Sequence, residues 1–315
     1  MKHIFIVNPA AGMTEATAHI REALSAYDGK LDYEIYVTTA ARDATRFVRE
    51  TCASATEKIR FYACGGDGTV NEVASGLVGA ENASMTVYPV GSGNDFVKYY
   101  GGKEKFLNLD ALLEAEEKPI DLIRVDDRYS VNVCNFGFDT TVAKTMIAVK
   151  HKKLIGGKNA YKTGVFTAIM TSMKNRCEVI ADGEKLNREK MLLCTIANGS
   201  YVGGAFCCAP RSDDADGFLE VCLIKPISLF RFLKILPVYT AGKHLDDPAF
   251  ADCIVYRRAK AVEVIAPEGF SISLDGEILD TNHFTAEVMP GAIRFAVPLA
   301  KVETEKPGKN AVGTC

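Results

Sequence analysis

Several short segments of this chain join glycine to carboxylates and hydroxyls. The densest is Cys64-Gly65-Gly66-Asp67-Gly68-Thr69-Val70-Asn71-Glu72. Its glycines leave a predicted strand, and a helix begins at once. Glycine lets a backbone turn with positive φ and lets a phosphate come close. The start of a helix offers unpaired N–H groups and the positive end of its dipole to an anion. Asp67 is the discordant residue. A carboxylate repels phosphate unless a divalent cation lies between them or the carboxylate takes a proton. Asp67 is therefore a candidate cation ligand or base, against the plainer alternative of an N-cap in a tight turn.

Three further segments repeat the theme. Asn8-Pro9-Ala10-Ala11-Gly12 follows the first predicted strand, and Gly91-Ser92-Gly93-Asn94-Asp95-Phe96 follows the fourth. Asp121 stands in Ile120-Asp121-Leu122. If all four follow strands of one parallel sheet, they gather on one rim, where such sheets bind ligands. Three carboxylates (Asp67, Asp95, Asp121) converging on glycine-rich loops suit Mg²⁺ and a polyphosphate. A Walker sequence, a Gly-x-Gly-x-x-Gly loop after a strand and a protein-kinase catalytic loop are all absent from the sequence.

The elements that must position these residues change character near residue 125. Before it, strand-like runs at 3–7, 33–37, 59–63 and 85–89 alternate with helical spacing at 14–26, 41–52 and 69–77. That alternation predicts an α/β fold with a parallel sheet. After it, strands are predicted at 130–135, 177–181, 191–197, 219–224, 261–265, 270–274 and 292–297, with helices at 161–173 and 228–239. Asp182-Gly183 and Asp275-Gly276 are turn dipeptides. A β-sandwich or mixed second domain follows. The expected division is 1–124 and 125–298, with a polar tail at 299–315. The 315 residues exceed the size at which single cores stop growing.

The bulk properties exclude some classes. Lys and Arg number 37 against 40 Asp and Glu, a formal net charge of −3, unlike a basic nucleic-acid binder. The apolar run at 4–7 ends at Asn8-Pro9, too short for a secretory core, and no uninterrupted apolar stretch reaches membrane-spanning length. The ten cysteines form no Cys-x-x-Cys pair and mostly stand in apolar runs, so reduced buried thiols are expected; Cys207-Cys208 receives no role. The five histidines are scattered.

Residues 65–72 resemble the nucleotide loop of the diacylglycerol kinase catalytic family of lipid kinases, which includes bacterial diacylglycerol kinases, YegS-like lipid kinases and the sphingosine and ceramide kinases. The similarity continues at residues 8–12, 91–96 and 120–125. It reappears in Ala209-Pro210-Arg211-Ser212-Asp213-Asp214-Ala215-Asp216-Gly217-Phe218-Leu219 and in Leu274-Asp275-Gly276-Glu277. Gly-Gly-Asp-Gly-Thr alone is shared with NAD kinases; the later Asn-Asp-Phe and Asp-Gly-Glu are more specific.

The resemblance implies an N-terminal NAD kinase-like α/β domain that binds ATP and a C-terminal β-sandwich domain that completes a cleft, with the final segment packing back on the first domain. It implies ATP- and Mg²⁺-dependent phosphorylation of a lipid hydroxyl, diacylglycerol for example. Carried over, Asn8, Pro9, Ala10, Ala11, Gly12, Thr38, Gly66, Asp67, Gly68, Thr69, Val70, Asn71, Glu72, Ser92, Asn94 and Asp95 would line ATP. Asp67, Asp95 and Asp121 would form the Mg²⁺ network. Glu277 would be the general base, with Asp275 beside it. Asp213, Asp216 and the carbonyl of Phe218 would hold a second, structural Mg²⁺. Ser92 stands where the family usually has threonine, and Asp213 fits the structural-metal pattern less closely. Outside the family context, Asp275-Gly276-Glu277 reads as a plain turn with an exposed glutamate.

Access to lipid calls for a surface. Lys144, Lys150, His151, Lys152, Lys153, Lys158 and Lys162 cluster around Leu154-Ile155-Gly156-Gly157, which suits an anionic leaflet or a solvated loop. Residues 228–243 form either an interfacial helix or lip over an acyl-chain pocket, or an ordinary amphipathic helix. The expected setting is cytoplasmic and peripheral at the inner membrane face. A homodimer is compatible with the family. The alternatives are an NAD kinase or another small-molecule kinase of the superfamily, or a non-catalytic nucleotide-binding module.

Overall fold

In the computed structural model, which describes residues 1–11, 16–149 and 160–299, the first part of the chain alternates strand and helix. Strands β1 (Lys2–Val7), β2 (Tyr33–Val37), β3 (Ile59–Gly65) and β4 (Ala83–Pro89) run parallel in the order β2-β1-β3-β4. β3 and β4 are buried along their whole length, as a parallel sheet covered on both faces requires. Helices α1 (Ala16–Ser25), α2 (Asp43–Ser54) and α3 (Asp67–Leu77) connect these strands. α2 and α3 pack so closely that a Cβ on Gly76 would lie 2.7 Å from the Cβ of Val48. Two short helices follow, α4 (Asp95–Tyr99) and α5 (Leu109–Leu113).

The chain then enters β5 (Glu116–Val125), β6 (Arg128–Ser130), β7 (Val133–Gly137), α6 (Phe138–Val149), α7 (Ala160–Thr171), β8 (Asn175–Arg176), β9 (Glu178–Ala181), β10 (Glu184–Lys185), β11 (Lys190–Met191), β12 (Leu193–Ala197), β13 (Tyr201–Val202), β14 (Phe206–Cys207), β15 (Leu219–Ile224), α8 (Leu229–Thr240), β16 (Ile254–Ala259), β17 (Ala261–Ile265), β18 (Ser271–Leu274), β19 (Glu277–Asp280) and β20 (His283–Val297). An antiparallel sheet has the order β16-β15-β12-β7-β18-β19. It shares a core with β5, β9, β17 and β20: Ile123, Val179, Val262 and Phe284 from one sheet meet Phe136, Cys194, Val221 and Ile272 from the other. That is a sandwich. Its outer face is covered by α6, α7 and α8 through Phe138, Ala168, Phe232 and Ile235.

β20 joins the two parts. Ala286 and Glu287 pair with β5 and with β17, whereas Phe295 pairs parallel with Met85 of β4. Ile293 and Phe295 are buried in the first core with Ile4, Phe61 and Phe96. The chain therefore returns to the first sheet at residue 293, inside the span read as second domain. Residues 300–315 lie outside the described ones.

Three elements depart from the sequence reading. The strand expected at 130–135 is two strands, because the amides of Val131, Asn132 and Val133 bond to the Asp275 carboxylate instead of a neighbouring strand. α6 was not expected, although Phe138, Val142 and Met146 recur at helical spacing and face the helical layer. The strand expected at 292–297 is the end of a 15-residue strand. The nine cysteines among the described residues are unbridged, and all but Cys52 are buried.

Candidate active site

Residues 65–69 turn so tightly that only glycine fits at the strand end: a Cβ on Gly65 would lie 2.1 Å from Thr69 Oγ1. A second loop presses on the first, since a Cβ on Gly91 would come 2.4 Å from Gly66 Cα. Asn8 fixes the third loop: its Nδ2 donates to Thr69 Oγ1 at 3.2 Å and its Oδ1 accepts from Ala10 N at 2.9 Å. The three loops line one side of a cleft of about 1130 Å³, with Asn8, Ala10, Ala11, Gly66, Gly68 and Thr69 on its wall. Gly12 lies outside the described residues.

Asp67 opens α3 on the cleft floor, and its Oδ1 accepts from Phe96 N at 3.1 Å. Burial, with repulsion from Asp95 and Asp275, raises its carboxyl to about 6. Gly93 keeps a gap beside it: a Cβ there would lie 2.9 Å from Asp67 Oδ2 and 3.8 Å from Asp95 Oδ2. Two hard carboxylate oxygens thus face one small gap next to the glycine loops, a donor set of the kind Mg²⁺ takes. Asp95 also has nearer partners, Lys98 Nζ at 2.5 Å and the backbone amide of Gly204 at 3.0 Å.

The opposite wall comes from the turn after β18. Asp275 has φ 47°, and its carboxylate accepts from Asn71 Nδ2 (2.8 Å), Ser130 Oγ (2.7 Å) and the amides of Val131 (2.8 Å), Asn132 (3.1 Å) and Val133 (2.9 Å). Asp275 is thus a bracket between the domains. Glu277, two residues on, is exposed. Its Oε1 accepts from Arg128 Nη1 at 3.0 Å and lies 3.8 Å from Arg42. Glu277 and Asp67 line the same cleft.

Other expected site residues go elsewhere. Asp121 does not join Asp67 and Asp95. It stands in the middle of β5, which pairs antiparallel, and is buried with its oxygens on the amides of Gly217 (2.7 Å) and Gly291 (2.8 Å). Its neighbours are the residues expected to hold a structural metal. There Asp216 accepts from Phe218 N and pairs with Arg258, Asp213 accepts from Ala215 N, and Asp214 is held by Lys118 and Tyr100. Asp216 is paired with Arg258 rather than with Asp213, and among the described residues no cluster of three or more metal-ligating side chains is found. The Thr38 hydroxyl donates to Val7 O rather than lining the cleft. Glu72 lines the cleft but also accepts from Ala44 N at 3.2 Å, at the start of α2. Asn94 Nδ2 closes its own loop on Gly91 O at 2.7 Å, and Val70 is a core residue.

The sequence reading missed the basic wall. Arg42, Arg46, Arg49 and Arg128 line the cleft facing the glycine loops. The first three are spaced along one face at the start of α2, which was a readable signal.

It also missed most of the apolar side. A chamber of about 470 Å³ runs between the antiparallel sheet and the helices, lined by Phe138, Val142, Val165, Phe232, Ile235 and Leu236 among others. Asp67, Ser92, Gly93, Asp275 and Gly276 line both this chamber and the polar cleft. The amphipathic helix read at 228–239 is α8, whose inner face forms one chamber wall. No helix among the described residues is long and apolar enough to cross a membrane.

Comparison with known proteins gives two family models in tandem. The diacylglycerol kinase catalytic domain matches residues 2–125, and the YegS C-terminal NAD kinase beta sandwich-like domain matches residues 132–297. The chain is 31% identical to a diacylglycerol kinase of Bacillus subtilis, over 86% of this chain and 88% of that protein. It is 30% identical to a Yersinia enterocolitica protein named "probable lipid kinase YegS-like", over 86% and 89%. A crystal structure of a diacylglycerol kinase from Bacillus anthracis shares the fold, with a TM-score of 0.69 at 21% identity, covering 94% of this chain and 96% of that one.

Proposed function

Because this chain belongs to the diacylglycerol kinase catalytic family of lipid kinases, we propose that it transfers the γ-phosphoryl group of ATP to a hydroxyl of a membrane lipid such as diacylglycerol, with Mg²⁺. One observation carries this reading: the same five residues, Asp67, Ser92, Gly93, Asp275 and Gly276, border a polar cleft and an apolar chamber. A phosphate donor on one side and a greasy acceptor on the other meet at that border.

In this reading the glycine loops and the start of α3 take the phosphates of ATP through backbone N–H groups. Arg42, Arg46 and Arg49 offset their charge from the facing wall. Asp67, with Asp95 beside it, would hold Mg²⁺, which when bound would supply charge neutralisation of the transferring phosphoryl group. The lipid lies with its chain in the chamber and its hydroxyl at the border. Glu277 takes the hydroxyl proton as the oxygen attacks phosphorus and the bond to ADP breaks. Arg128 holds the Glu277 carboxylate in place, and Asp275 fixes the turn that carries it.

The lipid has to reach the chamber from a surface. Phe166 and Met170 on α7 and Phe230 and Leu233 on α8 are exposed large apolar side chains on the helices that form the chamber wall. They suit peripheral contact with a bilayer. Lys144, expected in that contact, instead bonds to Ser271 and Asp280. Lys150, His151, Lys152, Lys153 and Lys158 lie outside the described residues.

The test is labelled ATP incubated with a panel of lipid alcohols and with NAD, followed by separation of the products. Transfer to a lipid and none to NAD supports the reading. Transfer to NAD alone, or to no acceptor although ATP binds, overturns it.

A further inference from the structure

The chamber is not apolar throughout. Asn135 on β7 and Asp139 at the start of α6 both line it, as does Ser273 on β18, directly across the strand pair from Asn135. Asn135 is 97% buried by its 3% exposure, and its Oδ1 has no hydrogen-bond partner. Its Nδ2 donates to Asp139 Oδ2 at 2.6 Å, and Asp139 Oδ1 accepts from Thr140 N at 2.8 Å. A buried carbonyl without a donor costs free energy comparable to a lost hydrogen bond. A carboxylate facing a greasy cavity is costly in the same way. A helix cap accounts for Asp139 alone. It does not account for the orphaned Asn135 oxygen or for the Ser273 hydroxyl beside them.

The three groups make a shelf at a defined depth. Ser273 precedes Asp275 by two residues on the same strand end, so it lies roughly 7 Å into the chamber from the Asp275 bracket. The shelf offers two kinds of acceptor, the Asn135 carbonyl and the Asp139 carboxylate, and one hydroxyl that donates or accepts. A ligand hydroxyl satisfies both: it donates to Asn135 or Asp139 and accepts from Ser273. An ester carbonyl has no proton for the two acceptors, whereas an ammonium would donate to all three oxygens and is the competing occupant that the amino alcohol below tells apart.

We infer that Asn135, Asp139 and Ser273 form a specificity subsite for a second hydroxyl of the lipid, a few bonds from the one that is phosphorylated. The inference rests on the lipid-kinase reading and names a substrate class within it, lipids that present a diol to the site, which narrows that reading away from diacylglycerol, whose single free hydroxyl leaves the shelf unmet. One hydroxyl sits at Asp67 and Glu277 and the other on the shelf. Nothing else is required of the acyl chain than to fill the apolar remainder.

Matched single-chain alcohols in detergent micelles test it: hexadecanol, hexadecane-1,5-diol, whose extended hydroxyls span the depth of the shelf, and the corresponding amino alcohol. A site built to bond a hydroxyl rejects the analogue that lacks it. The expected result for the wild type is a kcat/KM for the diol at least about ten-fold above that for hexadecanol. In Asp139→Ala, and in Asp139→Asn should the alanine variant fold poorly, that ratio falls towards one. A residue that only caps α6 lowers both rates alike and leaves the ratio intact, which would overturn the assignment. Equal turnover of diol and hexadecanol by the wild type overturns it while the kinase reading stands, and preference for the amino alcohol replaces the hydroxyl with a cation. No phosphorylation of any alcohol, with ATP still bound, removes both.

Discussion

Asn71, on the helix that begins at Asp67, donates its side-chain amide to the Asp275 carboxylate of the second sheet at 2.8 Å. Asn71 Nδ2 also reaches Tyr129 O at 2.8 Å. The helix that follows the glycine loop and the turn carrying Glu277 are therefore tied at one point. The separation of Asp67 from Glu277 across the cleft is set by that tie rather than by either domain alone.

Asp275 and Glu277 consequently have opposite fates on truncation. Asp275→Ala leaves Ser130 Oγ, Asn71 Nδ2 and three backbone amides without their acceptor. Each buried donor left unpaired costs about 1–3 kcal/mol, so the variant is destabilised by at least about 3 kcal/mol in urea or thermal unfolding. Glu277→Ala removes an exposed side chain and shifts stability by no more than about 0.5 kcal/mol. Equal stability of the two variants would refute the bracket.

Turnover reverses the order of damage relative to stability. Glu277→Gln keeps the size and the Arg128 contact but removes the base. General-base help is worth about 10²–10⁴-fold, so kcat falls by that range while the melting temperature and ATP affinity stay near wild type. Asp67→Asn also abolishes turnover with ATP still bound. Near-normal rates in either variant, measured with labelled ATP, would remove the residue from the chemistry.

Gly91 and Gly68 make a matched pair for the phosphate loops. The Cβ of Gly91→Ala would sit 2.4 Å from Gly66 Cα, and backbone has nowhere to move except by parting the two loops. ATP affinity is expected to fall about ten-fold or more by titration calorimetry, a loss of about 1.4 kcal/mol. Gly68→Ala meets no atom within 4 Å and lies in a helix, so its folded state gains up to about 1 kcal/mol in unfolding measurements. If the two variants melt and bind ATP alike, loop contact is not what limits the site.

These particulars show what was readable in advance. The glycines, Asp67 and the strand–helix alternation carry local signals of period and turn chemistry, and the structure realises them. Asp121 was misplaced because its position was inferred from a sheet taken to be wholly parallel; the antiparallel pairing of β5 with a strand about 170 residues later is non-local and leaves no local mark. The same holds for the split at residues 131–132, caused by a carboxylate more than 140 residues away. The chamber needs three helices and a sheet at once, so none of its walls announces it alone. The arginines of α2 were legible and were passed over.

Asp139 gives the chamber a pH signature in stability. Burial raises its carboxyl from 3.8 to about 6. A folded-state value above the unfolded one means that the native protein binds the proton more tightly. Its contribution is full below the unfolded value and is lost as pH rises through the folded value, between about 4 and 6. Asn135 and Thr140 are the donors to it, and among the described residues no cation contacts it. Asp139→Asn removes the titration, so the melting temperature of the variant relative to wild type rises across that window and is flat above it. A difference independent of pH would show that Asp139 is solvated.

The apolar side chains on the outer faces of α7 and α8 separate delivery of the lipid from its chemistry. Phe166, Met170 and Phe230 are each about two-thirds exposed, and none lines the chamber. Side chains buried in a bilayer interface lose that gain when they become polar, about 1.5–3 kcal/mol for each large apolar side chain fully transferred. Phe166→Ser with Phe230→Ser should therefore weaken sedimentation with vesicles by about ten-fold or more and lower kcat/KM on vesicle-borne lipid in proportion. Turnover of a short-chain lipid alcohol dissolved as monomer bypasses the surface and should change little. Leu236, by contrast, lines the chamber, so Leu236→Arg is expected to cut both assays while ATP binding persists. Loss of both activities in the surface variant, or of neither, would mean that lipid enters the chamber by another face.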